Sequence, residues 1–163
     1  MPSHSLGLST SCSIEEVRNL LLHSLDVTCL QEVSQRFPAL EVLLRDKQEI
    51  TRLAQEDYTE LLGSAATAEV RYLVDTKTDW DEARQAQIAM AVSAASLASE
   101  AEAVAILLFQ RDGLIMRRTD GTLYLYERFS IWNDPFVIAR LSGSWVLTDD
   151  QDVGVPEGAI PFR

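Results

Sequence analysis

The chain is predicted to fold as an α/β protein, a mixed sheet flanked by helices, with N-terminal helices and C-terminal β-hairpins. Three observations predict this. Val70, Tyr72 and Val74 alternate with Arg71, Leu73 and Asp75, the period of a strand. A capped helix of about 20 residues follows at once, and the apolar run Ala103 to Phe109 comes next. Asp112-Gly113 and Asp120-Gly121 then punctuate two further apolar runs as hairpin turns do.

Taken in order, residues 1–12 are small and polar and read as a loose tail. Ser13-Ile14-Glu15-Glu16 is a capping box that opens a helix to about Leu25, and Thr28-Cys29-Leu30-Gln31 is a second. Pro38 kinks or restarts the chain. From Leu40 the apolar spacing is helical through Leu43, Leu44, Ile50, Leu53 and Ala54. That period either continues through Tyr58 and Leu61 to a cap at Gly63, or stops near Gln55 and leaves 57–62 as a short strand.

The strand at 70–75 leads to Thr78 or Asp79 as the cap of the long helix. Its stripe is Trp80, Ala83, Gln87, Met90, Ala91, Ala94, Leu97 and Ala98. Alanine dominates, so this helix is expected to lie close against a sheet. Gln87 is the one polar member. Strand, helix and buried strand in succession suggest a βαβ crossover with a parallel pair. Strands at 114–118 and 122–129 follow the turns. Residues 136–141 and 145–147 read as short strands, or as a helix and a strand. The expected organisation is a single domain over 13–150 between the tail at 1–12 and an irregular segment at 151–163.

The 163 residues carry a net charge of -11 and are 47% hydrophobic, an ordinary globular composition. The acid excess argues against charge-driven nucleic-acid binding over the whole surface and leaves room for a local arginine patch. Arg71, Arg84, Arg111, Arg117 and Arg118 are its candidates. Cys12, Cys29, His4 and His23 fit no metal spacing, and the histidines look incidental. No leader is evident and no apolar run is long enough to span a bilayer, so a reduced, cytoplasmic setting without membrane contact is expected.

The motif that carries chemistry is Asp75-Thr76-Lys77. A carboxylate and an ammonium two residues apart on a strand share a face. Metal-assisted phosphodiester cleavage uses such a pair, the acid to hold a cation and the lysine to handle the attacking water. With the helix, Gln87 and the next strand, this segment resembles the PD-(D/E)xK nuclease superfamily, the restriction-endonuclease-like fold, over roughly residues 55–130. The resemblance implies a Mg- or Mn-dependent DNA endonuclease. Asp57 and Asp75 would hold the metal, Lys77 would orient or deprotonate the water, and Gln87 would hydrogen-bond water or phosphate. Asp57 follows Glu56 where the family often has proline, so a degenerate site is one expectation. The alternative is a small acidic binding or assembly protein without catalysis. DNA through the arginine patch, a homodimer and a partner protein are the expected partners.

Overall fold

The computed structural model describes residues 2–162. Its core is a seven-stranded mixed sheet, mostly antiparallel, in the order β2-β3-β1-β4-β5-β6-β7. The strands are β1 (Ser3–Ser9), β2 (Leu40–Asp46), β3 (Ala68–Val74), β4 (Val104–Phe109), β5 (Gly113–Thr119), β6 (Thr122–Tyr126) and β7 (Ser144–Thr148). The helices are α1 (Ile14–Leu25), α2 (Val33–Arg36), α3 (Arg52–Leu62), α4 (Trp80–Glu100) and α5 (Pro135–Ile138).

The expected N-terminal tail is instead a central strand. β1 pairs antiparallel with β3 on one side and β4 on the other. His4, Leu6 and Leu8 are all buried, and each leucine contributes about 2 kcal/mol by leaving water. β1 also corrects the expected crossover. β3 and β4 are parallel to each other, as strands joined by α4 should be, but β1 lies between them. The directly paired parallel strands are β6 and β7.

A second correction concerns residues 40–46, expected in a helix. They form β2, with Leu40 and Val42 buried and Glu41 and Leu43 exposed, a period of two. The helix begins later, where the Thr51 hydroxyl accepts from the Ala54 N–H, and ends at Gly63. Residues 57–62 are therefore helical, which closes the alternative of a strand there.

The long helix is capped by Asp79, whose carboxylate accepts from the N–H groups of Asp81 and Glu82. Its alanines let it lie with α1 on one face of the sheet, against Leu6, Val70, Tyr72, Ala105 and Leu107. The Ser93 hydroxyl joins these layers. It sits 2.7 Å from the Ser24 hydroxyl of α1 and 3.0 Å from the Tyr72 phenol of β3.

The shorter α3 covers the opposite face, against Ile106, Leu108 and Leu114. Gly7 makes its close approach feasible. A Cβ there would meet the Tyr58 ring at 2.5 Å. Beyond β4, the Asp120-Gly121 turn has both residues in the left-handed region, the geometry of a two-residue hairpin. After β7, residues 149–162 carry no helix or strand and return over α3, where the Ile160 N–H donates to the Glu60 carbonyl.

Candidate functional site

The sheet places Asp57 and Gln87 on opposite faces. Asp57 is on α3, and its carboxylate accepts from the Arg111 Nε at 2.7 Å, beside the turn that follows β4. That turn is two strand spacings, about 10 Å, from β3. Asp75 follows β3, and its carboxylate accepts from the Lys77 N–H at 2.9 Å. Lys77 is exposed. Gln87 is on α4, across the sheet from Asp57. It does line a cleft with Thr76, so the 75–77 segment and Gln87 share one end of the molecule.

The Asp57 carboxylate is already matched by a guanidinium, and no group of three or more His, Cys, Asp or Glu among the described residues is placed to hold an ion. The arginine patch is also dispersed. Arg84 pairs with Asp134 at 3.0 Å, Arg118 donates to the Ala103 carbonyl, and Arg71 reaches the Ser3 hydroxyl. Arg117 is buried under α3, where its Nη1 donates to the Leu61 carbonyl in the last helical turn. The negative end of the helix dipole faces that cation.

The cleft that receives Thr76 and Gln87 has a volume of about 550 Å³. Its inner wall is aromatic. The His4 ring lies 4.9 Å from Phe109 and 6.2 Å from Phe129, and Phe129 meets Trp132 edge-on at 5.7 Å. His4 is only 5% exposed, and its Nδ1 has no hydrogen-bond partner. Burial pushes the imidazole down to about 4, against the opposing pull of the Tyr72 backbone, so it is neutral near pH 7. Arg128 and Asp112 stand at the mouth, both exposed.

His4 carries no functional signature in the sequence, because it falls in no metal-ligand spacing. The available signal was that His4, Leu6 and Leu8 alternate as one face of a strand. Phe109 and Phe129 read as ordinary core, since nothing in their spacing marks a cleft.

A different polar group lies beneath α3. Glu69, 2% exposed, is the only buried acid among the described residues. It accepts from the Tyr58 phenol at 2.5 Å and has Arg45 at 3.5 Å. Burial and the Glu69 charge push the Tyr58 phenol well up, so it acts as a fixed donor. The hollow there is about 170 Å³. It is a pairing of structural kind, since each charge faces an opposite one.

The surface is acidic elsewhere and carries exposed aromatic side chains at one end of α4. Trp80 is 74% exposed and Phe136 64%. The Arg84–Asp134 ion pair links the two helices that carry them, and Arg140 lies over the Phe136 ring at 5.7 Å. Among the described residues no helix is long and apolar enough to cross a membrane.

No curated protein and no solved structure gives a significant match to the chain. A family model described as SitI3-like matches residues 3–136, from the start of β1 into α5. That span is most of the chain, which therefore belongs to the SitI3-like family.

Proposed function

We propose that this chain is a non-catalytic acidic protein that binds a basic protein partner. The observation that carries the reading is an acidic surface on which no cluster of three or more potential metal ligands is assembled among the described residues. Asp57 is matched by Arg111 on one face, Gln87 lies on the other, and the 25 acidic residues almost all face solvent. A surface of net charge -11 repels a phosphate backbone and draws a basic protein at long range. Trp80 and Phe136 supply aromatic anchors of the kind that dominate binding energy once a partner has docked.

The test is affinity isolation followed by reconstitution with the purified partner. The expected partner is a protein of net positive charge, whose affinity falls as salt rises. A nucleic acid, or a partner whose affinity ignores salt, overturns the reading.

One observation favours the second reading, a PD-(D/E)xK-type nuclease. Thr76 and Gln87 line the same cleft, so Asp75, Lys77 and Gln87 gather at one end of the sheet. That reading needs Asp57, whose carboxylate is already matched by Arg111.

A further inference from the structure

We propose that the cleft between His4 and Phe129 binds a free aromatic amino acid as its zwitterion, ring inward and charged groups at the mouth. The inference is independent of the partner reading and goes beyond it.

The inner wall selects the ring. Phe109, His4 and Phe129 are tilted against one another at 41° and 61°, and a further aromatic ring continues such tilted and edge-on contacts. The neutral His4 presents no charge to oppose an apolar guest. The volume of about 550 Å³ falls within the usual range for small-molecule sites.

The mouth selects the head group. Arg128 and Asp112 both line it. Neither side chain is among the ion pairs of the described residues, in contrast to Arg84 and Asp57. The Gln87 side chain adds an amide from the α4 wall. A lone carboxylate in the cleft would meet Asp112, and a lone ammonium would meet Arg128. An α-amino acid answers both, its carboxylate toward Arg128 and its ammonium toward Asp112.

Isothermal titration calorimetry with L-tryptophan and L-phenylalanine tests this. The controls are tryptamine, which lacks the carboxylate, and indole-3-propionate, which lacks the ammonium. At least one amino acid is expected to bind saturably, and each control roughly tenfold more weakly, as loss of a charged hydrogen bond requires. Arg128→Gln should weaken the amino acid by a similar factor and leave tryptamine unchanged. Asp112→Asn should do the converse with indole-3-propionate. Both positions are exposed, so the variants should retain the wild-type circular dichroism. No saturable heat from either amino acid at millimolar concentration overturns the proposal. So does equal binding of amino acid and controls, or insensitivity to both substitutions.

Discussion

Lowering the pH from 7 to 5 should destabilise this fold through His4. The imidazole is buried with its Nδ1 unpartnered, and burial lowers it from 6.5 to about 4. A group depressed in the folded state binds protons more readily when unfolded. Its contribution is therefore complete above 6.5 and is lost as pH falls toward 4. Linkage between those two values makes the loss at pH 5 about 2 kcal/mol, and about 3 kcal/mol below pH 4. For a chain of this length, 2 kcal/mol corresponds to a Tm lower by about 6 °C.

Asp112 and Arg128, which line the cleft, are exposed, and the causes acting on His4 are burial and the Tyr72 backbone, with no charged partner. Glu16 and Glu32 are held below the ordinary carboxylate range, Glu16 by the Ser13 backbone N–H first and Glu32 by the Thr28 hydroxyl first. Their contributions are lost as pH falls from about 4.5 toward their lower folded values, beneath the pH 7 to 5 range of the comparison. Urea unfolding of the wild type and of His4→Phe at pH 7, 6 and 5 isolates the effect. Each protein's stability at pH 7 is its own reference. The wild type should lose about 2 kcal/mol more than the variant between pH 7 and 5. Equal losses would refute the assignment to His4.

Further outcomes follow from other contacts. Tyr58→Phe removes the phenol that donates to buried Glu69 and should cost about 1–3 kcal/mol in urea unfolding, whereas an unchanged midpoint would show that Glu69 is satisfied without it. Gly7→Ala places a methyl against the Tyr58 ring and should lower Tm, whereas an unchanged Tm would show that the ring can move aside. Arg117 is a buried cation whose Nε and Nη2 have no partner, so Arg117→Met should leave Tm unchanged or raise it; a clear fall would mean that its bond to the Leu61 carbonyl outweighs that burden. Trp80→Ser should weaken the reconstituted partner complex by at least about tenfold without moving Tm, and unaltered affinity would remove Trp80 from the interface.

The parts of the fold legible in the sequence are those set by local chemistry. Ser13 and Glu16 form the reciprocal cap that opens α1, and Asp79 caps α4. The alternation at 70–74, the apolar run of β4 and the Asp120-Gly121 turn all mark elements that the structure contains. β1 and β2 were hidden because their strand character comes from pairing. β1 has only Leu6 and Leu8 as aliphatic signal among serines, and two neighbouring strands hold it. In β2, adjacent Leu43 and Leu44 mimic a helical face, but Leu43 faces solvent. The cleft is hidden for the same reason, since His4 enters it from β1. Gln87 was legible as the polar member of an inward stripe. The pairing of Asp57 with Arg111 was not, because a contact across more than 50 residues leaves no trace in local spacing.

The most direct measurement is a cleavage assay with Mg²⁺ or Mn²⁺ on duplex, single-stranded and branched DNA, comparing wild type, Asp75→Ala and Lys77→Ala. A non-catalytic binding protein leaves every substrate intact in all three samples. Metal-dependent cutting by the wild type that both substitutions abolish would contradict it and place a nuclease at the 75–77 segment.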